Sequence, residues 1–484
     1  MLQRAFNPIT DWNRKTMSET PRHTSKNAAA AVLPRQPIDR LISPVVRFMH
    51  VEAMGGIVLL LSAIAALALA NSPWSYQFLS IWKTLVGFEI GDPDQPGFHF
   101  VFRYPLYHLI NDGLMVIFFF VVGLEVKREL VHGELRGVRK AALPLAAALG
   151  GMVVPAGIYL MFQAGTPGER GWGIPMATDI AFVVGCMAIL GRRVPHGLRV
   201  MLLSLAIADD IGAILVIAIG YSSELNLTAL FLGLSGFGVI YLLARLGVRS
   251  FLVYAIVGIA IWFAFHQSGV HATIAGVILG LMTPARSQLG PEFVRSFFDR
   301  VSNTFHGEDF PDEGERIDGI RMQRLVARET VSPLSYLIHV LHPWVSFVIM
   351  PIFALANAGV PFKFSDLGSS ISLAVMAGLF FGKPIGVTLA SWLAVKLRLA
   401  QLPPGVSMLQ IVGGGLLAGI GFTMALFIAG LAVENPLLDR AKVGILAASV
   451  LAAIAGMIVL TIAAPRRPLS EPAVTAESQD PSPA

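Results

Sequence analysis

Five ionisable side chains lie inside long apolar stretches of the sequence: Asp112, Asp179, Asp209, Asp210 and Lys383. Placing an Asp or Lys at the middle of a membrane costs roughly 2.5–3.5 kcal/mol, so such residues usually line an ion or proton pathway. A structural ion pair between Lys383 and one acid is the alternative explanation, but it leaves three acids unpaired. The five residues together therefore indicate ion chemistry away from water.

Asp209 and Asp210 are adjacent within one apolar segment, Ser204–Gly212. Neighbouring residues are about 100° apart around a helix, so the two carboxylates face one cavity in different directions. Two carboxylates this close in a low-dielectric interior resist ionising together. Such a pair can hold protons or bind a small, hard cation through its oxygens, but it cannot readily do both at the same time. This competition would couple the movement of a cation to that of protons.

Two expected helix breaks accompany these charges. Pro175 cannot donate a helical hydrogen bond, and the glycine-rich stretch 413–421 weakens a second span. Interrupted helices in corresponding positions of two halves often mark a transporter binding site. Close packing of spans at the glycines is the alternative explanation of the second stretch. Opposed half-helices bring dipole ends of both signs to mid-membrane. We expect Asp179 to neutralise the positive ends and Lys383 the negative ends, and we expect Lys383 to pair with Asp209.

The composition predicts a membrane-embedded scaffold for these residues. Of the 484 residues, 55% are hydrophobic and only 14% are charged, whereas about 25% are charged in a soluble domain. A helix needs roughly 20 apolar residues to cross the hydrocarbon core. The sequence therefore predicts an all-α polytopic membrane protein with about twelve spans, near residues 51–71, 106–126, 140–162, 174–191, 197–221, 227–245, 250–266, 269–283, 334–358, 370–394, 408–431 and 439–464.

The basic residues set the orientation of these spans. With the N-terminus inside, 29 of the 36 Lys and Arg residues fall on the inner side, as the positive-inside rule requires. Both termini are therefore predicted to be cytoplasmic. The net charge of +5 does not indicate nucleic-acid binding, because the basic residues lie in short loops rather than in a patch interleaved with aromatic residues.

The segments outside the spans define the predicted organisation. Residues 1–48 are interpreted as a polar cytoplasmic tail, 49–464 as the transmembrane domain with a long inner loop at 284–333, and 465–484 as a disordered cytoplasmic tail. Residues 87–103 alternate around a turn containing Pro and Gly, which is typical of a β-hairpin and lies on the outer side. Its exposed edge is a candidate contact for a second copy; a solvated loop is the alternative.

The ordered motifs of the chain resemble those of the NhaA-type sodium/proton antiporter family over about residues 45–465. They are Ile110–Leu114, Gly123–Leu130, Ala177–Phe182, the Ala-Asp-Asp stretch, Ser268–Thr273, His339–Trp344, Gly382–Pro384 and Gly419–Thr423. The resemblance implies inverted repeats, two crossed broken helices, and electrogenic, pH-regulated exchange of sodium or lithium for protons by alternating access. It also implies a location in the cell's inner membrane, no cofactor, and a role in pH homeostasis and salt tolerance.

The resemblance assigns roles residue by residue. Asp209 and Asp210 would bind the transported cation or protons, with Thr178 and Asp179 near the cation and Lys383 as the buried partner of Asp209. The region linked to pH activation would comprise Glu125, Arg128, Glu129 and His271. A solvated helix end and a packed histidine are the alternatives there.

The outer hairpin resembles the family's contact between two subunits, so a homodimer is expected. Ser335 and Ile338 stand before His339, where the resemblance would place a charged cluster. This difference concerns the pH dependence of exchange and leaves the acid pair unchanged.

Other classes of function explain fewer of these residues. Gly233-Leu-Ser-Gly236 matches the serine motif of rhomboid-type proteases, with Ser235 as nucleophile and His266 or His271 as base. That alternative gives the buried acids no role, so a secondary active transporter rather than an enzyme is predicted. A proton-coupled carrier of another ion, or a cation channel, remains as a closer alternative. A carrier of organic anions would need Arg in the core, where only Lys383 is basic.

Overall fold

The computed structural model describes residues 52–464, except for 91–99, 223–224, 249 and most of 288–328. The predicted tails at 1–48 and 465–484, most of the 284–333 loop and the tip of the hairpin therefore lie outside the described residues.

The described chain is mostly helical. Its main helices, in order, are α1 (Glu52–Ala70), α2 (Ser75–Lys83), α3 (Leu106–His132), α4 (Val138–Gln163), α5 (Ile180–Leu190), α6 (His196–Gly220), α7 (Leu227–Arg245), α8 (Phe251–Ser268), α9 (Thr273–Met282), α10 (Pro333–Asn357), α11 (Ser370–Lys396), α12 (Met408–Ala418), α13 (Phe422–Ala432) and α14 (Leu437–Ile462). Single turns of helix lie at Glu134–Arg136, Gly191–Arg193 and Phe364–Leu367.

The predicted multi-pass membrane architecture is confirmed, since each of the twelve apolar stretches contains a helix. Among the described residues, nine spans are long and apolar enough to cross a membrane, one of them the interrupted segment Glu169–Arg193 that includes α5. Two bent pairs of helices raise that number to eleven. These pairs are α1 with α2, bent by 114°, and α12 with α13, bent by 49°. The ten-residue α9 is the remaining apolar helix.

The predicted hairpin is also confirmed. Strands β1 (Leu85–Ile90) and β2 (Phe100–Pro105) pair in antiparallel register, with Leu85 opposite Pro105 and Ile90 opposite Phe100. Strand β2 runs directly into α3, so the hairpin is anchored to the start of that helix.

Two helical spans are interrupted where the sequence predicted breaks. In the first, a 3₁₀ segment, Glu169–Met176, contains Pro175, and the chain is then extended until α5 begins at Ile180. In the second, residues 419–421 separate α12 from α13. Pro175 lacks the N–H that would continue a helix, and the glycines at 419 and 421 favour a local bend.

Three π-helical turns were not predicted: Leu109–Leu114, Val345–Ile349 and Gly378–Gly382. The last two end immediately before Met350-Pro351 and Lys383-Pro384. A proline nitrogen cannot donate to the preceding turn, and a widened turn is one way for a helix to accommodate that loss. The turn in α11 therefore sits directly beside the buried lysine.

Helices α4 and α11 pack at very short distance because both present glycine at the crossing. A Cβ built on Gly386 would lie 2.1 Å from the carbonyl oxygen of Gly150. One residue further along α4, a Cβ on Gly151 would lie 3.7 Å from Nζ of Lys383. The glycines on this face of α4 thus let α11 and the side chain of Lys383 lie close against the backbone of α4.

Candidate functional site

The two interrupted spans cross and bind each other through their non-helical segments. The backbone N–H of Asp179 donates to the carbonyl oxygen of Ile420 at 2.7 Å. The hydroxyl of Thr178 donates to the carbonyl oxygen of Ala418 at 2.9 Å. Backbone groups released by each break are therefore satisfied by the other break, which is how irregular backbone is tolerated at membrane depth.

The carboxylate of Asp179 lies at the N-termini of two half-helices. Its Oδ1 accepts hydrogen bonds from the N–H groups of Ala181 at 3.1 Å and Phe182 at 3.4 Å, in the first turn of α5. Its Oδ2 accepts from the N–H of Thr423 at 3.0 Å and from the Thr423 hydroxyl, in the first turn of α13. A negative charge is favourable at both positive dipole ends, and this is the position that the sequence predicted for Asp179.

Lys383 forms the ion pair that the sequence suggested. Its Nζ lies 2.5 Å from Oδ2 of Asp209, and both side chains are 0% exposed. The hydroxyl of Thr178 donates to the same Oδ2 at 2.8 Å. Within the described residues the hydrogen bond of Lys383 goes to this carboxylate, not to a helix-end carbonyl. The neutralisation of the negative helix ends by Lys383 stays a prediction.

Unlike Oδ2 of Asp209, the remaining oxygens of the acid pair accept no hydrogen bond from the described residues. Oδ1 of Asp209 is buried and has no hydrogen-bond partner in the part of the chain that the structure describes. Asp210 is 3% exposed and forms no hydrogen bond with the described residues either. A buried anionic oxygen without a partner is unfavourable by several kcal/mol. Oδ1 of Asp209 therefore requires a proton or a cation.

The residues assigned to pH activation lie in the C-terminal part of α3 and, for His271, in the linker just before α9. Oε1 of Glu125 lies 3.9 Å from Nε2 of His342, a pairing for which the sequence gave no separate signal. Oε2 of Glu129 accepts from the N–H of Glu134 at 3.1 Å and so closes the helix end. Arg128 is exposed.

His271 and the two unexpected residues of α10 have local structural partners. Nδ1 of His271 lies 3.1 Å from the hydroxyl oxygen of Thr273. Ile338 is buried in an apolar cluster with Leu124 and Leu334. The N–H of Ser335 donates to Oγ of Ser332 at 3.2 Å, as part of the N-terminal cap of α10.

The protease alternative finds no support in the structure. Ser235 is exposed on α7, and its hydroxyl donates at 2.7 Å to the carbonyl oxygen of Leu232 in the same helix. In the described part of the chain, no hydrogen bond joins Ser235 to His266 or His271. The serine thus lacks the base that a nucleophile needs.

Crossed broken helices, a buried acid pair and a buried lysine are features of a membrane transporter for ions. The family model described as Na+/H+ antiporter 1 matches residues 46–460. The chain is 53% identical to the Na(+)/H(+) antiporter NhaA of Rhodopirellula baltica, over 90% of this chain and 97% of that protein. It is 50% identical to NhaA of Rhizobium meliloti, over 90% and 98% of the two chains, and to NhaA 2 of Acidiphilium cryptum, over 88% and 94%. The chain belongs to the Na+/H+ antiporter 1 family.

Proposed function

We propose that this chain is a secondary active transporter that moves sodium or lithium outward in exchange for protons, by alternating access. The observation that carries the proposal is the buried acid pair, in which Oδ1 of Asp209 and the carboxyl group of Asp210 lack hydrogen bonds from the described residues. Family membership supports the same ions, because the matching relatives are named Na(+)/H(+) antiporters.

The exchange follows from the charges around these oxygens. When protons occupy the pair, its two carboxyl groups carry no charge and have little affinity for a metal cation. When the protons leave, carboxylate and hydroxyl oxygens provide the hard ligands that a small cation prefers. Lys383 balances the charge of Asp209 in the absence of that cation, at 2.5 Å, and a cation at Oδ1 competes with it. Protons and the metal ion therefore exclude each other.

We further propose an electrogenic cycle, since two neighbouring acids can release more than one proton for each univalent cation. The transporter would lie in the cell's inner membrane with both termini cytoplasmic, as the distribution of 29 of the 36 basic residues supports. No cofactor is needed for such a cycle.

Glu125, Arg128, Glu129 and His271 remain candidates for pH activation, and a homodimer through the hairpin at 87–103 remains a proposal. Roles in pH homeostasis and salt tolerance would follow from sodium extrusion.

Exchange by everted membrane vesicles tests the site. Respiration acidifies their interior and quenches a pH-sensitive dye, and added sodium restores the fluorescence as protons leave. We expect Asp210→Asn to abolish this response, because the amide keeps the size of the side chain but neither titrates nor offers a negative oxygen. Glu434→Gln is the matched control, since Glu434 is an exposed acid, and it should respond as the unmodified chain does.

Normal exchange by Asp210→Asn would refute the site assignment. The same vesicles distinguish a cation channel from an antiporter: a channel admits radioactive sodium without moving protons, whereas we expect the two fluxes to disappear together in Asp210→Asn.

A further inference from the structure

A second cluster of ionisable side chains lies where α3 meets the hairpin. His108 and Asp112 come from the first turns of α3, and His266 comes from the last turn of α8. Oδ2 of Asp112 is 3.1 Å from Nε2 of His108 and 3.9 Å from Nδ1 of His266. One ligand atom from each residue lies within 4.8 Å of the other two. The proposed exchange cycle uses none of these three groups.

We propose that His108, Asp112 and His266 bind a first-row divalent metal ion such as Zn²⁺, with a fourth position left for water. Zinc holds imidazole nitrogens and carboxylate oxygens at about 2.0–2.2 Å in tetrahedral sites, which puts neighbouring ligand atoms roughly 3.3 Å apart. The distances of 3.1 and 3.9 Å from Asp112 to the two imidazoles bracket that value. The two imidazole nitrogens lie within 4.8 Å of each other, so rotation of the side chains would bring all three ligands onto one metal ion.

Nε2 of His108 contacts the carboxylate of Asp112 and forms no hydrogen bond with the described residues. It lies 3.1 Å from Oδ2 of Asp112, but the orientation is not that of a hydrogen bond. The buried Nε2 is therefore left without a hydrogen-bond partner in the described part of the chain. A buried imidazole nitrogen of this kind needs an acceptor, a donor or a metal ion.

The second histidine is held by an outer group in the way that metal-bound histidines are. Nε2 of His266 lies 3.3 Å from the hydroxyl oxygen of Tyr104. When Nε2 carries the hydrogen, Nδ1 keeps its lone pair for the metal, and such partners fix the tautomer and the ring orientation. Trp262 stacks on His266 and Tyr104 stacks on His108, with ring centroids 5.8 and 5.0 Å apart. Both imidazoles are therefore positioned before a metal arrives.

The ligand set distinguishes this site from the site proposed for the exchanged cation. Two imidazoles and one carboxylate suit zinc, cobalt, nickel or copper, whereas sodium, lithium, magnesium and calcium prefer oxygen ligands throughout. The inference does not rest on the proposed function, because loss of this site leaves Asp209 and Asp210 intact.

Calorimetric titration of the purified, full-length chain with ZnCl₂ tests the inference, provided that no histidine tag is attached. We expect one zinc ion to bind, and His108→Gln, His266→Gln and Asp112→Asn each to weaken that binding by more than 100-fold. Tyr104→Phe removes only the outer partner and should weaken it by about tenfold. His132→Gln is the matched control, because His132 is exposed at the other end of α3. This variant should bind zinc with the affinity of the unmodified chain.

Two further measurements keep the test independent of folding. Bound Co²⁺ should give the strong visible absorption of a four-coordinate site in the unmodified chain. Zinc should also raise the melting temperature of that chain by ligand linkage, but not that of the variants. Equal zinc affinity in the unmodified chain and in His266→Gln would overturn the proposal, and so would six-coordinate Co²⁺ with only water-like absorption.

Discussion

The ion pair between Lys383 and Asp209 gives the sharpest test of the energetics of the site. Lys383→Met keeps most of the side-chain volume and removes the positive charge, while Asp209→Asn keeps the shape of the acid and removes the negative charge. Each single change leaves one charge alone at a position that is 0% exposed in the native structure. The double variant leaves neither charge.

The expected free energies follow from the burial of both partners. Removing one member of a buried pair costs about 3–5 kcal/mol of stability, whereas replacing the whole pair by uncharged groups is often nearly neutral. If the two residues acted independently, the double variant would lose about 6–10 kcal/mol. Because they contact each other at 2.5 Å, we expect the double variant to be more stable than either single variant.

Reversible unfolding in mixed micelles, followed by tryptophan fluorescence at neutral pH, measures all four forms of this cycle. Lys442→Met is the matched control, since Lys442 is also a buried lysine, 6% exposed, on α14. Its effect should simply add to that of Asp209→Asn. Additive losses for Lys383→Met and Asp209→Asn would refute the reasoning, because they would mean that the two charges do not stabilise each other.

Two further predictions concern the scaffold around the pair. Thr178→Val removes the hydroxyl that donates to Asp209 at 2.8 Å and should destabilise the protein by about 1.5–3 kcal/mol. Thr178→Ser keeps a hydroxyl and should restore the stability. Equal free energies of unfolding for the two variants would contradict this prediction. Gly386→Ala places a methyl group 2.1 Å from the carbonyl oxygen of Gly150 and should cost about 1–3 kcal/mol or more in thermal unfolding. Gly157→Ala, with open space around its Cβ, is the control, and a Gly386→Ala protein as stable as that control would show that the helices separate freely.

The sequence was sufficient for features that depend on local chemistry. Long apolar stretches located the spans, and the break near Pro175 followed from its missing N–H. The charge of Lys383 in an apolar setting was enough to predict a carboxylate partner, because an unpaired lysine is too costly there.

Features that depend on long-range packing could not be predicted. His266 is separated from Asp112 by more than a hundred residues, and only the folded chain brings them within 3.9 Å. The π-helical turn before Lys383 depends on how one helix adjusts to Pro384 while it packs on α4. The pairing of Glu125 with His342 likewise required the relative position of α3 and α10.

The three acids that the sequence predicts near the cation differ in the number of hydrogen bonds that their carboxylates already accept. A carboxylate has about four lone-pair sites, and Asp179 already accepts from two N–H groups of α5 and from the N–H and hydroxyl of Thr423. A cation could bind Asp179 only by displacing a donor that holds the two breaks together. Asp209 keeps one oxygen free, and Asp210 keeps both free of hydrogen bonds from the described residues. The geometry therefore places Asp179 where the two breaks contact each other, and it leaves oxygens of Asp209 and Asp210, the proposed exchange site, without hydrogen bonds from the described residues.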